Sequence, residues 1–196
     1  MTSRESEWLE AVKRGDDEAF SHLVDAYQKP VYNLCYRMLG NVNSAEDAAQ
    51  ETFLRAYKSI SRYDTSRSFV TWLLSIASHY CIDQLRKKHI QSFSTDDEEY
   101  AWMAPVDPNP LPETVITMKE KQAQVQSLLS VLNPKDRAAV ILRYWYGYSY
   151  VEIGNALSLT VSAVKSRLHR AKRELAKTWE YQKTGMLANG RVRNES

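Results

Sequence analysis

The sequence predicts an all-α fold of two small helical domains joined by an acidic, proline-rich linker. Apolar residues recur at spacings of three and four along most of the chain, and strand-like alternation is almost absent. Four of the six prolines fall within residues 93–114, where they remove backbone donors and disfavour helix. The expected organisation is a first domain over residues 1–92, a linker over 93–114, a second domain over 115–182 and a polar tail over 183–196.

Charge is distributed unevenly along the 196 residues. Residues 1–92 carry 12 basic and 12 acidic side chains, residues 93–117 carry six acidic and no basic ones, and residues 118–196 carry 14 basic and six acidic ones. The surplus of positive charge in the last third predicts a polyanionic partner there. Without an 18-residue apolar run or a signal-peptide pattern, the sequence predicts a cytoplasmic protein with no membrane insertion.

The first domain is predicted to be a helical bundle. Residues 8–27 form one helix or two short ones, broken near Gly15, and Asp16 can cap the second of these. Pro30 is expected to open the next helix and Gly40 to close it.

Two further helices complete this domain. Ser44 is expected to cap a helix whose inward stripe is Ala49, Phe53, Ala56, Tyr57 and Ile60. After a polar loop over residues 61–68, a long helix runs from Phe69 to about Lys88, where cations suit a helix C-terminus.

The second domain is predicted to have four helices. The first begins near Thr117, with a stripe of Val125, Leu128, Leu129 and Leu132. Asn133 and Pro134 start the second, which covers residues 135–146, and Ser149 caps a third with Val151, Ile153 and Leu157 inward. A three-residue turn, 158–160, leads into a fourth helix over residues 161–179, so the last two helices resemble a helix-turn-helix.

The last helix is the candidate for reading DNA. Its buried face is predicted to be Val161, Val164, Leu168, Ala171 and Leu175. Small side chains near its start allow close approach, Lys165 and Arg167 are long enough to read guanine edges, and the remaining cations suit phosphate. The candidate residues are Ser162, Ala163, Lys165, Ser166, Arg167, Arg170, Lys172 and Arg173. The alternative is a solvated basic face on a structural helix.

A second candidate surface lies on the helix after Ser44. Asp47, Gln50, Glu51 and Leu54 share one face, where an exposed leucine beside specific polar groups is typical of a partner interface. A capping box with a solvated acidic face is the alternative, which composition alone favours.

A third candidate surface combines aromatic and basic residues between positions 61 and 88, a pattern that suits single-stranded nucleic acid. It includes Arg62, Arg67, Trp72, His79, Arg86 and Lys87. Trp72 and Phe69 could instead be core residues, and the cations could be a helix-end cluster.

No catalytic set is predicted. The four histidines lack a neighbouring nucleophile or metal-ligand spacing, and the six glycines form no phosphate loop. Cys35 and Cys81 are expected to be buried, reduced thiols. The sequence therefore indicates a non-enzyme with no cofactor, metal or small-molecule substrate, and leaves an enzyme acting on nucleic acid with little support.

The three candidate surfaces together resemble the extracytoplasmic-function group of bacterial sigma factors, in the sigma-seventy family. The most specific matches are Asp47-Ala-Ala-Gln50-Glu51 with Arg55-Ala56-Tyr57, Phe69-Val-Thr-Trp72-Leu with Ile82-Asp83-Gln-Leu85-Arg86, and Ser149-Tyr-Val-Glu152-Ile153 with Val164-Lys165-Ser166-Arg167-Leu168-His169-Arg170-Ala171. His79 stands where the family usually has asparagine, and Gly154 replaces a common alanine. Residues 158–163 also depart from the family's usual turn, although Thr160 can still cap the helix.

The resemblance implies a protein that binds core RNA polymerase and directs it to promoter DNA. Asp47, Gln50 and Glu51 would dock on the coiled coil of the polymerase clamp. Residues 61–88 would capture the non-template strand of the minus-ten element, and the helix from Val161 would read the minus-thirty-five element. The linker would occupy the RNA path of the polymerase, and an anti-sigma factor is an implied partner.

The main alternative is a helix-turn-helix regulator that binds DNA without being a polymerase subunit. Such a regulator would need a ligand pocket or a dimer interface in its first domain. The first domain instead offers the acidic docking helix and the aromatic strand-capture surface, which favours the sigma factor.

Overall fold

The computed structural model describes residues 3–65, 68–94 and 113–192, and every regular element within these ranges is helical. The helices are α1 (Ser3–Lys13), α2 (Asp17–Leu39), α3 (Val42–Ser59), α4 (Phe69–Ser94), α5 (Glu113–Ser130), α6 (Pro134–Tyr144), α7 (Tyr150–Leu157) and α8 (Val161–Val192), with a 3₁₀ turn at Ile60–Arg62. This confirms the all-α prediction. Most of the predicted linker, residues 95–112, lies outside the described residues.

Helix α2 corrects one prediction, because it passes through Pro30 instead of beginning there. Asp16 caps it as expected, accepting a hydrogen bond from the Ala19 amide at 3.0 Å. A proline inside a helix costs about 3 kcal/mol. Leu23 before it and Leu34 after it are almost fully buried, and each such side chain contributes about 1.5–3 kcal/mol. Packing on both sides of Pro30 therefore outweighs the local cost.

Helix α3 corrects a second prediction, because its N-cap is Asn41 and not Ser44. The Asn41 side chain accepts a hydrogen bond from the Ser44 amide at 2.9 Å. Ala56 and Phe53 are buried as expected, whereas Tyr57 is 40% exposed and its hydroxyl donates to Asp17 of α2 at 2.5 Å. Tyr57 therefore links the edges of two helices and does not belong to the core.

Several helix bounds also differ from prediction. Helix α4 continues past Lys88 to Ser94, because residues 89–94 contain neither proline nor glycine to stop it. Helix α8 likewise runs to Val192, α5 begins at Glu113, and α6 ends at Tyr144.

Three valines that were predicted to point inward are exposed by 38–58%. They are Val125, Val151 and Val161. The buried stripe of these three helices runs instead through residues such as Leu129, Ile153 and Val164.

The two cysteines lie in the core of the first four helices and are free, as predicted. Cys35 of α2 and Cys81 of α4 have no exposed surface. The hydrogen bond with Cys35, together with burial, raises the pKa of the Cys81 thiol. Both side chains contribute to the core as small apolar groups.

The helices after residue 113 pack directly against those before residue 94. Helix α7 and helix α6 contact α4, and α6 also contacts α2. The Tyr146 hydroxyl donates to the Pro30 carbonyl at 2.6 Å, and the Arg37 guanidinium lies 5.2 Å from the centre of the Trp145 ring. The two halves therefore share one continuous buried core.

The C-terminus of α2 is capped by side chains of the second half. The Gln126 amide donates to the carbonyls of Tyr36 and Arg37 at 3.3 and 3.1 Å. Arg137, which is 4% exposed, donates to the Met38 carbonyl at 2.7 Å and to the Ser130 carbonyl at 2.7 Å. Burial lowers the pKa of Arg137 to about 10, so it stays charged at neutral pH. A cation is thus held at the negative end of the α2 dipole.

Candidate nucleic-acid interface

Helices α7 and α8 form the predicted helix-turn-helix. Ser149 and Glu152 make a reciprocal capping box at the start of α7, and hydrogen bonding to Ser149 lowers the pKa of Glu152. Ser158 takes the left-handed conformation with φ of 55°, which ends α7. Thr160 then caps α8, as its hydroxyl accepts from the Ala163 amide at 3.2 Å. The caps at Ser158 and Thr160 therefore fix the short turn that sets the direction of α8.

Helix α8 buries one side and leaves the other exposed. Val164, Leu168 and Ala171 are buried, as predicted, and Leu175 is half-buried. The predicted DNA contacts that are exposed are Ser162, Lys165, Ser166, Arg170, Lys172 and Arg173, while Ala163 and Arg167 are half-buried. Most of the predicted reading surface is therefore free to approach a DNA groove.

His169 belongs to the same exposed face, although it is not among the residues predicted from sequence. It follows Ser166 by three residues and precedes Arg173 by four, which places all three on one side of a helix. This spacing could have identified His169 from the sequence as a further candidate for contacting DNA. His169 can exchange hydrogen bonds with a base or a phosphate from this position.

Two predicted DNA contacts, Arg167 and Arg170, are instead engaged by the buried Asp136. The Arg167 Nη1 atom lies 2.7 Å from Asp136 Oδ1, and the Arg170 Nε atom lies 2.9 Å from Asp136 Oδ2. The Arg167 side chain is only 25% exposed, whereas that of Arg170 is 57% exposed. Neither guanidinium is the freely extending side chain that was expected from the sequence.

Asp136 stays ionised in this position. Burial alone would raise its pKa, but hydrogen bonds from Arg170, Arg167 and Asn133 together outweigh burial and lower the pKa. The same contact raises the pKa of Arg170. The sequence does not predict this role for Asp136, because nothing in the spacing of residues in α6 indicates that its first turn faces α8.

Tyr150, at the start of α7, is a second residue that was not predicted from the sequence. Its ring lies 5.9 Å from the Lys165 Nζ atom and 5.2 Å from the Arg143 guanidinium carbon, within the range of cation–π attraction. The Arg143 Nη1 atom also donates to the Tyr148 carbonyl at 2.8 Å. Lys165 is thus oriented by an aromatic surface beside the recognition helix.

The predicted docking residues share one exposed face of α3. Asp47 and Gln50 are exposed, and Leu54 is 55% exposed. Glu51 is half-buried and pairs with Arg55 at 2.7 Å. The opposite side of α3 is fully buried through residues such as Ala45 and Ala48. The face therefore carries charge and an apolar anchor without supporting the core.

The predicted strand-capture residues on α4 also fall on one face. Positions 72, 79 and 86 are seven residues apart, or about two helical turns, so their side chains follow one another along roughly 21 Å of helix. His79, Arg86 and Lys87 are exposed. The Ser75 carbonyl lies 2.9 Å from His79 Nδ1, so Nδ1 donates there and Nε2 is the nitrogen left for DNA.

Trp72 lies on the predicted strand-capture face of α4 and also packs against the core. It is half-buried and packs beside Tyr63 and Phe69, with ring centroids 5.0 and 5.6 Å away. Phe69 is fully buried and belongs to the core. Burial raises the pKa of Tyr63 to about 12. Arg62 is exposed in the 3₁₀ turn, while Arg67 lies outside the described residues.

The strand-capture face meets the docking helix at a cavity of about 300 Å³, lined by Arg55, Tyr80, Asp83, Gln84, Arg86 and Lys87. The Arg55 guanidinium lies 4.8 Å from the centre of the Tyr80 ring. Arg55 also pairs with Glu51, so one side chain connects the two surfaces.

No group of three metal-ligating side chains is found within the described ranges 3–65, 68–94 and 113–192 of the chain. None of the helices in those ranges is both long and apolar enough to cross a membrane.

The fold and these surfaces define a two-domain helical protein with a helix-turn-helix DNA-binding module. The family described as Sigma-70 region 2 matches residues 23–90, and the family described as Sigma-70, region 4 matches residues 122–175. The chain is 40% identical over 176 residues to the ECF RNA polymerase sigma factor SigW of Bacillus subtilis (strain 168), a match that covers 86% of this chain and 93% of that protein. The chain therefore belongs to the extracytoplasmic-function RNA polymerase sigma factors.

Two solved structures share the fold. CnrH, in complex with the cytosolic domain of CnrY, matches with a TM-score of 0.68 and 21% identity over 91% of this chain and 99% of that one. The sigma factor RpoE in complex with the anti-sigma factor NepR from Bartonella quintana matches with a TM-score of 0.61 and 20% identity, over 82% of this chain and 96% of that one.

Membership in this family decides between the two functions that the sequence left open. The protein is a transcription initiation factor that binds core RNA polymerase and directs it to promoter DNA, and not a regulator that acts apart from the polymerase.

Proposed function

We propose that three faces of the protein divide the work of promoter-specific initiation. The α3 face (Asp47, Gln50, Glu51 and Leu54) docks on the coiled coil of the polymerase clamp. The α4 face, with Arg62 and Arg67 before it, captures the non-template strand of the minus-ten element. Helix α8 reads the minus-thirty-five element. The observation that carries the docking assignment is that the α3 face is exposed while the opposite side of the same helix is fully buried.

The remaining assignments follow from the same proposal. The first functional unit spans residues 1–92 and the second spans residues 115–182, with residues 93–114 as the linker and residues 183–196 as a tail. The protein acts in the cytoplasm without catalysing a reaction and without a cofactor. An anti-sigma factor is its proposed regulator, because RpoE was solved in complex with the anti-sigma factor NepR and CnrH in complex with the cytosolic domain of CnrY.

The test reverses charge on the α3 face with Asp47→Lys and Glu51→Lys. Removing one partner of a charge pair that is buried in an interface commonly costs about 2–5 kcal/mol, which is roughly a 30-fold to several-thousand-fold loss of affinity. Folding should change little, because the solvent-accessible Glu51–Arg55 pair, four residues apart on one helix, contributes about 0.5 kcal/mol at most. Association with core RNA polymerase is measured by analytical gel filtration and by biolayer interferometry.

The matched control reverses two other exposed acids of the first domain, with Glu10→Lys and Asp25→Lys. This control changes net charge equally and should bind polymerase as the unaltered protein does. Full binding by the Asp47/Glu51 variant would refute docking through α3. Failure of the unaltered protein to bind polymerase at all would refute the function itself.

A further inference from the structure

Two of the basic side chains of α8, Arg167 and Arg170, are bound by a buried carboxylate, which the DNA-binding pattern of the sequence does not predict. Asp136 has no exposed surface and lies in the first turn of α6. Its Oδ1 atom accepts from Arg167 Nη1 at 2.7 Å and from Arg170 Nη2 at 3.2 Å, while its Oδ2 atom accepts from Arg170 Nε at 2.9 Å. A single acid thus receives three hydrogen bonds from two guanidinium groups.

Asp136 is itself fixed by the start of α6. Its amide donates to Asn133 Oδ1 at 3.0 Å, and Asn133 Nδ2 donates to Asp136 Oδ2 at 2.7 Å. Pro134 at the first helical position presets the backbone of this turn. The carboxylate therefore has a defined position before either arginine reaches it.

The arginines have donors left over for DNA. A guanidinium has five N–H donors in a planar fork. Asp136 uses Nη1 of Arg167 and one edge of Arg170, so Arg170 Nη1 and Arg167 Nη2 remain, and both side chains are partly exposed. Asp136 therefore orients both guanidinium groups and leaves some of their N–H donors available for DNA.

Release of both arginines toward DNA is strongly unfavourable. It would leave a fully buried carboxylate with Asn133 as its remaining side-chain donor, and an uncompensated buried charge is among the most destabilising changes in a protein. The arginines therefore meet DNA in the orientation that Asp136 imposes.

We propose that Asp136 is a positioning residue for promoter reading, which holds Arg167 and Arg170 in single orientations beside the exposed face of α8. The proposal rests on the proposed function of α8 as the reader of the minus-thirty-five element. Side chains that are already ordered lose less entropy on binding, and one acid beneath two cations lowers the non-specific attraction to phosphate. Asp136 thus favours sequence discrimination over raw affinity.

The experiment uses polymerase reconstituted with the full chain and a pool of promoter duplexes randomised across the minus-thirty-five region. Asp136→Asn keeps the size of the side chain but removes its charge. We expect enrichment of the preferred sequence over scrambled duplex to fall about tenfold, in line with removal of one oriented base contact. Binding to scrambled duplex should be kept or increased, with a salt dependence steeper by up to about one unit.

The matched control is Glu180→Gln, which removes one negative charge from an exposed position of α8, ten residues beyond Arg170. It should change salt dependence in the same direction and leave sequence enrichment intact. Asp136→Leu is a second variant, since Arg167 and Arg170 are exposed enough to turn into solvent when the acid is replaced by an apolar side chain. Thermal unfolding confirms that each variant is folded at the assay temperature.

Undiminished enrichment in both Asp136 variants would overturn the proposal. An equal loss of binding to every duplex would also overturn it, because that is the result of a purely structural role. If the unaltered protein enriches no sequence in this region, the proposed function of α8 fails instead, so the two failures are distinguishable.

Discussion

Individual side chains on the nucleic-acid surfaces differ in how much of their hydrogen-bonding capacity is already engaged. Arg167 and Arg170 bind Asp136, and Lys165 lies against the Tyr150 ring. Arg173 and Lys172 project from the exposed side of α8. Oriented cations suit discrimination between bases, whereas long exposed cations suit phosphate, whose position varies little with sequence.

On the strand-capture face, Arg86 and Lys87 are the residues that can be removed with the least effect on folding. Both are exposed, whereas Trp72 packs on Tyr63 and Phe69 and supports the core. We expect Arg86→Ala with Lys87→Ala to reduce promoter opening and to lower the salt slope by about one unit for each phosphate that is no longer neutralised. Permanganate reactivity of unpaired thymines in the minus-ten region measures the opening.

The matched control is Lys29→Ala with Lys58→Ala, which removes two other exposed cations from the same half of the chain. Equal opening by both double variants would show that Arg86 and Lys87 act only through net charge. Unchanged opening by the Arg86/Lys87 variant would remove these residues from the strand-capture site.

Among the helices and turns, the α7–α8 turn is where backbone geometry is most demanding. Ser158 adopts a left-handed φ of 55°, which costs a residue with a side chain roughly 1–2 kcal/mol. The amides of Ser158 and Leu159 both donate to the Gly154 carbonyl, which closes the end of α7. A Cβ at position 154 would lie only 2.7 Å from the Leu159 carbonyl oxygen. The turn therefore tolerates serine at one position and requires glycine at the other.

Two substitutions in this turn should have opposite effects on stability. Ser158→Gly should raise the free energy of unfolding by about 0.5–1 kcal/mol, because glycine adopts positive φ without strain. Gly154→Ala should lower it by about 1–3 kcal/mol, although alanine is the better helix former, because its Cβ meets a backbone oxygen that cannot rotate away.

Urea unfolding of the full chain measures both changes in the turn. A stabilising Gly154→Ala would show that the turn relaxes easily and that its geometry does not aim α8. Destabilisation by Ser158→Gly would mean that the serine side chain contributes more than the backbone strain costs.

The elements that could be predicted from sequence are those specified by neighbouring residues. Asp16, Asn133, Ser149 and Thr160 all cap helices as predicted, because a cap acts over three residues. Pro30 misled the prediction, because burial of residues on both sides overrides its local preference. Asp136 could not be assigned its role, because its partners are 31 and 34 residues away and only packing brings them together.

The arrangement of the whole molecule limits how it can read a promoter. A compact chain of this length has a diameter of roughly 40 Å. Elements named minus-thirty-five and minus-ten lie about 25 base pairs apart, or roughly 85 Å of duplex. With α4 and α8 reading these two elements, as proposed, the packed halves are too close together to reach both, so we expect them to separate when the protein acts at a promoter.

Contacts between the halves should therefore control how compact the free protein is. Gln126→Ala removes donors to Tyr36 and Arg37, and Arg137→Lys replaces a fork that binds Met38 and Ser130 by a single ammonium. Each of these hydrogen bonds contributes about 0.5–1.5 kcal/mol, so we expect the double variant to have a larger radius of gyration by small-angle X-ray scattering.

Lys135→Gln is the control for the effect on compactness, since Lys135 is exposed in the same turn of α6. It should scatter as the unaltered protein does. A double variant with an unchanged radius of gyration would show that the apolar contacts of α7 with α4 hold the halves together without the polar ones.

The contact that caps α2 uses main-chain atoms on one side and side-chain atoms on the other, and this difference affects which substitutions it tolerates. On the α2 side the acceptors at Tyr36, Arg37 and Met38 are main-chain carbonyls, whereas on the other side the donors are the side chains of Gln126 and Arg137. Substitutions at the three α2 positions leave every acceptor in place, while one substitution at either donor breaks part of the contact. Substitutions in α5 and α6 can thus change how tightly the halves associate, while substitutions on the exposed surface of α2 leave this contact intact.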